Sequence, residues 1–180
     1  MTAEPISSAT QPGDLVAASV NRVLGLAATW LAWDGKPYVA EDGERIYTPH
    51  KAIRRHADHL IDHLAHIESL LAGEQPAADR WHASLVTLAS DWAMFTEADL
   101  NEAQQRLSRL GAMYRLRLNA LDPAEWDLSR QPDWTVRQIA EHVASTWYAD
   151  QIGDLTATRQ SRHLGDQAPD DAVDAQGMGQ

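Results

Sequence analysis

An all-α chain, its four helices packed as one bundle, is what this sequence predicts, and three observations carry the prediction. Four segments repeat apolar residues at three- and four-residue spacing, the period of a helix that buries one face. Helix boundary signals bracket these segments: Thr48-Pro49 and Thr96 at starts, Gly73 at an end. No convincing strand pattern appears. With 180 residues, 44% of them hydrophobic, the chain has enough apolar material for one core.

Residues 1–12 are small and polar with two prolines, which predicts a flexible N-terminus ahead of a helical domain over 13–157. The stretch GDLVAASVNRVLGLAATWLAW predicts a first helix over 14–33, capped near Asp14. Its inner residues are Leu15, Val16, Val20, Val23, Leu24, Leu26, Trp30 and Leu31. A loop follows, with turn signals at Asp34-Gly35 and Asp42-Gly43. Thr48 caps the second helix, Pro49 opens it, and Gly73 ends it near residue 72. The region 79–95 predicts a short extra helix or a pair of turns. Thr96 caps a long helix over 97–121, with Leu100, Leu107, Leu110, Tyr114, Leu118 and Leu121 inward. After the connection DPAEWDLSRQPD, a last helix is expected over 134–155, capped by Asp133. Residues 158–180 are rich in Asp, Gln and Gly and predict a disordered acidic tail.

Composition narrows the function. A net charge of −11 argues against nucleic acid and against an anionic membrane surface as partners. No apolar run approaches the roughly 18 residues of a membrane span, and the N-terminus lacks signal-peptide character. A cytoplasmic protein acting on a small molecule is expected. The chain has no cysteine, so it supplies neither disulfide nor thiolate. A metal here is held by nitrogen and oxygen.

Four of the eight histidines fall in RRHADHLIDHLAHIE, residues 54–68. At 100° per residue, with His56 at zero, His59, His63 and His66 lie at about −60°, −20° and −80°. Ile53, Leu60, Leu64, Ile67 and Leu71 occupy about 20° to 80°, and Arg54, Arg55, Asp58, Asp62 and Glu68 the opposite side. His59 and His63 are four apart, so two imidazoles on adjacent turns can meet one cation. His142 borders the apolar arc of Val136, Ile139, Val143 and Trp147 on the last helix, with Thr146 and Asp150 turned the same way. Two readings follow. The histidines are a half-buried polar shoulder, paired with Asp58, Asp62 or Glu68 in a binding or dimerisation module. Or His59, His63 and His142 hold a divalent metal, zinc or nickel foremost, with an open position for substrate.

On the second reading Asp150 or Thr146 assists proton movement, and Arg54, Arg55 or Arg137, unless merely superficial, binds an anionic substrate. Asp58 or Asp62 orients a histidine if it does not simply face water. His50 is expected to face solvent, His82 to pack, and Trp30, Trp134 and Trp147 to serve core or cap packing. Trp33 beside Leu31 suggests an exposed face for a homodimer.

Two stretches resemble a known family. WTVRQIAEHVASTWY is similar to the helix that supplies the first metal histidine in the DinB-like superfamily of metal-binding four-helix bundles, and IRRHADHLIDHLAHIE to its HxxxH helix. The resemblance implies a metal triad of His142, His59 and His63, with no ligand role for His56 or His66. In the family the single-histidine helix precedes the HxxxH helix, and here it follows. A circular permutation would restore the order, with helices 97–121 and 134–155 as the first pair and helices 14–33 and 48–72 as the second. The resemblance implies a transferase or isomerase that uses a low-molecular-weight thiol as cosubstrate, which suits a cysteine-free chain. A hydrolase with water as nucleophile needs the same open site.

Overall fold

The computed structural model describes residues 10–40 and 43–157 and is mostly helical. The expected flexibility of residues 1–9 and the expected tail over 158–180 lie outside the described residues. Helix α1 spans Pro12–Thr29 and continues into a 3-10 turn, Trp30–Ala32. Its start lies two residues before the expected one, because Pro12 takes the first helical position, with Gln11 as cap, and Asp14 falls inside the first turn.

Val16, Val20, Val23 and Ala27 of α1 are buried, the helix packing on α3 (Glu97–Asn119) and α5 (Val136–Val143). Trp30 of the following turn is buried with its ring edge-on to Phe95 and its indole N–H donating to the Gly153 carbonyl. By length and composition Pro12–Ala32 could cross a membrane, with mean hydropathy 1.4. The expectation of no membrane-length apolar run holds for unbroken runs only. Only Asp14 and Arg22 interrupt the segment with charge, and its average passes although no unbroken apolar run does. Gly13 allows a close helix crossing. A Cβ there would stand 2.7 Å from Arg115 Cα in α3 (Glu97–Asn119), which is backbone and cannot swing aside. Gly13→Ala is expected to lower unfolding free energy by about 1–3 kcal/mol in urea titrations; an unchanged midpoint would show that α1 and α3 separate at no cost.

The expected loop contains a small antiparallel hairpin, β1 (Tyr38–Val39) with β2 (Ile46–Tyr47). Gly35 and Gly43, both at turn signals, adopt positive φ of 85° and 71°. Helix α2 spans Pro49–Ala72. The Thr48 hydroxyl accepts the Lys51 N–H, and Gly73 closes the helix in the left-handed conformation.

Region 79–95 forms two 3-10 turns, Trp81–Leu85 and Ala89–Trp92, and not a helix. The cause is visible in its hydrogen bonds. Arg54 donates to the Ser84 and Val86 carbonyls and forks onto Asp91, and Lys51 Nζ reaches Thr87 Oγ1 at 2.8 Å. These bonds hold the segment in turns along the first half of α2.

Helix α3 carries the capping box Thr96 with Asp99. A one-turn helix α4, Pro123–Trp126, interrupts the expected connection. The last expected helix is broken. Helix α5 spans Val136–Val143, with Thr135 rather than Asp133 as cap, and α6 spans Trp147–Asp150. Helices α1 and α2 each pack on both α3 and α5, and α6 packs on α1 and α2. The core runs between them.

Trp33 and Leu31 do not share an exposed face. Trp33 is buried, its indole N–H donating to the Lys36 carbonyl, and Leu31 alone of the pair stays exposed.

Candidate metal centre

Helix α2 presents His59 and His63 inward on consecutive turns. Both are 2% exposed. Between them the Leu60 carbonyl accepts the buried Tyr114 hydroxyl of α3 at 2.8 Å, which pins this part of α2 to the core. His142 lies in the last turn of α5, half-buried, with Trp134 edge-on to its ring at 5.0 Å.

The three rings converge. Their centroids are 4.7 Å (His59–His63), 4.8 Å (His59–His142) and 4.9 Å (His63–His142) apart. His59 Nε2 and His142 Nε2 are 3.0 Å apart, so one ring donates and the other accepts. One ring nitrogen from each residue lies within 4.8 Å of the others, close enough to bind one metal ion. Two ligands on a tetrahedral zinc stand roughly 3.3 Å apart, given zinc–nitrogen bonds near 2.0–2.1 Å.

The electrostatics fit a cation held by neutral nitrogen. Burial drives the His59 pKa down to about 2, with His63, His142, His56 and Arg55 adding repulsion. Burial lowers His63 to about 4, and His142 also falls below the usual imidazole range because it is desolvated. Uncharged imidazole is the form that ligates metal. Both nitrogens of His63 are buried without a hydrogen-bond partner, an arrangement that costs stability unless something else occupies them. The donor set therefore fits a divalent ion.

A cleft of about 320 Å³ opens onto His59 and His142, lined also by Arg45, Ser145, Trp147 and Tyr148. The break after Val143 shapes it, since Ser145 and Trp147 fall at the interruption between α5 and α6. Tyr148 is buried, with its ring 5.9 Å from His59. Arg55 lies 4.8 Å over that ring and donates to the phenol oxygen at 3.4 Å. Burial raises the Tyr148 pKa to about 12, so the phenol keeps its proton at neutral pH. Arg45 stacks over Trp147 at 4.8 Å.

The other expected site residues are placed differently. Asp150 is exposed, accepting from Arg22 at 2.8 Å and from the Thr146 hydroxyl at 2.6 Å. The structure joins Asp150 and Thr146 to each other, and their hydrogen bonds lead to Arg22 instead of to the imidazoles. Arg54 is forked on Asp91 and Arg137 on Asp127. Arg55, expected on an outward face, is 1% exposed between Ser84 and Tyr148.

Two of the three acidic partners proposed for a polar shoulder are engaged elsewhere. Glu68 binds Arg117, and Asp62 accepts the Arg80 backbone N–H. His50 is not open to solvent but half-buried, 3.9 Å from Asp99 and edge-on to Phe95. His82, expected to pack, is exposed, and Trp134, expected in core or cap packing, is 46% exposed. Sequence reading missed the cleft walls. Ser145, Trp147 and Tyr148 stand within the quoted STWY stretch, but nothing in the sequence singled out Arg45.

Fold and site together define a mostly helical protein with a three-histidine cluster suited to a metal ion. No protein-family profile, characterised protein or solved structure matches the chain.

Proposed function

We propose that this chain is a metal-dependent enzyme on a DinB-like four-helix bundle, a transferase or isomerase that uses a low-molecular-weight thiol on a small cytoplasmic substrate. The observation that carries the reading is the convergence of three imidazoles from two helices, two of them, His59 and His142, on the wall of an open cleft. The mutual packing of α1, α2, α3 and α5 supports the bundle, and the absence of cysteine favours sulfur that arrives with a cosubstrate.

His59, His63 and His142 would hold zinc or nickel. Bound there, the ion would lower the pKa of a thiol or water toward neutrality. The remaining roles belong to the chain. Trp147 and Tyr148 supply walls that exclude water from one side of the cleft. Arg45 places a cation in its lining, suited to an anionic group on the substrate. Tyr148 keeps a protonated phenol beside His59, able to donate to a developing negative charge. On this geometry proton delivery falls to Tyr148, and the Asp150–Thr146 pair braces α6 against Arg22 of α1.

Elemental analysis of protein purified without a nickel column tests the metal. The expected result is near-stoichiometric zinc or nickel, lost on His63→Ala. Turnover should then require an added thiol. Ester or amide cleavage without thiol would replace the transferase reading by hydrolysis, and metal-free protein in both forms would defeat the proposal.

A further inference from the structure

Next to the inner triad stands a second group of donors. One ligand atom each from His63, His66 and Asp79 lies within 4.8 Å of the others, and the rings of His63 and His66 are 6.0 Å apart. Asp79 belongs to the linker that leaves α2. That linker is fastened back onto α2 by Asp62, whose carboxylate oxygens accept the Arg80 backbone N–H at 3.2 and 3.3 Å. His63 Nδ1 and Nε2 and His66 Nε2 are all buried without a hydrogen-bond partner. The Asp133 carboxylate stands 3.7 Å from His66.

We propose that His63, His66 and Asp79 form an outer divalent-cation site through which the ion reaches the inner triad, with His63 as the ligand common to both. This rests on the reading of His59, His63 and His142 as a metal centre. Three arguments carry it. The donors form a gradient from solvent to core: Asp79 is exposed, the His66 side chain is 16% exposed, and His63 and His59 are 2% exposed. Charge follows the same order. Three neutral imidazoles offset none of a divalent ion's charge, whereas Asp79, with Asp133 beside His66, offers carboxylates where a hydrated ion arrives. Finally, His63 belongs to both groups. The His63 ring, with both nitrogens free of hydrogen bonds, therefore borders both positions, and an ion stays beside it while Asp79 and His66 give way to His59 and His142. Two imidazoles and one carboxylate suit zinc, cobalt or nickel rather than calcium or magnesium.

Cobalt(II) is the probe, because its visible absorption reports the donor set around it. Full-length protein is stripped with a chelator and mixed with Co2+ in a stopped-flow instrument. Asp79→Asn and His66→Ala are each expected to slow the appearance of the inner-site spectrum at least tenfold without changing its final form. In a second arm, His59→Ala/His142→Ala leaves only the outer donors. It is expected to bind one Co2+ per chain more weakly than the wild type, and to lose it when Asp79→Asn is added. Loading of both single variants at the wild-type rate overturns the outer site, as does failure of a folded double variant to bind Co2+. If the double variant does not fold, the kinetic arm decides alone. A wild type that takes up one Co2+, with no rate change in either variant, leaves the inner centre standing and removes only the outer one. A wild type that takes up none removes both.

Discussion

Chelated protein is expected to melt roughly 8–16 °C below protein saturated with zinc. Ligand at about a thousand times its dissociation constant stabilises the folded state by about 4 kcal/mol, and in a chain of this size about 1 kcal/mol shifts Tm by roughly 2–4 °C. The structural reason is that His63 buries two nitrogens without partners, so the folded chain carries a desolvation cost that a metal would relieve. His63→Ala is expected to abolish the zinc-dependent shift. Dye-free calorimetry with zinc and with EDTA measures both. Identical melting curves with zinc and with EDTA would mean that the cluster is a packed polar shoulder, and the enzyme reading would lose its centre.

The second large effect is acid sensitivity of the metal-free form. His56 is 1% exposed, and burial holds its pKa near 4 in the folded chain, below the ordinary value of 6.5. As pH falls, the unfolded chain takes the proton first, so stability is intact above about pH 6.5 and is lost progressively down to about pH 4. At about 1.4 kcal/mol per pH unit, His56 alone withdraws roughly 3 kcal/mol across that window. His59 and His63, also lowered chiefly by burial, act in the same direction. The carboxylates held low by hydrogen bonds, Asp99 through Thr96 and Asp127 through Arg137, lose their contribution only below the ordinary carboxylate range, so the two effects separate. Urea midpoints of chelated protein at pH 7.5 and 4.5 are expected to differ sharply, and His56→Leu should reduce the difference. A midpoint independent of pH over that span would contradict the burial of uncharged imidazoles.

The inward placement of each histidine was legible because that information is local. The spacing of His59 and His63 puts both on adjacent turns of one face whatever the helix packs against, and His142 borders the apolar arc of its own helix. Caps were legible for the same reason at Thr48, Gly73 and Thr96. The projection of 134–155 as one rod failed beyond residue 143. Once α5 ends and α6 begins afresh, the angles of Thr146 and Asp150 no longer follow from that of His142, and the predicted proton-moving pair turns to Arg22.

The helical wheel of α2 failed in another way. It assumed that the side opposite the apolar stripe meets water, yet Lys51 and Arg55 are 2% and 1% exposed beneath the turns of 81–92. Sequence by itself determined the helical class, the main helix positions and the inward faces on which His59, His63 and His142 lie, because periodicity and capping act within a few residues. That the three rings meet was decided by the tertiary structure. Only the tertiary structure decided which charges are buried, where the last helix breaks, and that Arg45, Tyr148 and Asp79 stand near those imidazoles. Those facts depend on contacts between segments far apart in the chain, and no local pattern encodes the distance between them.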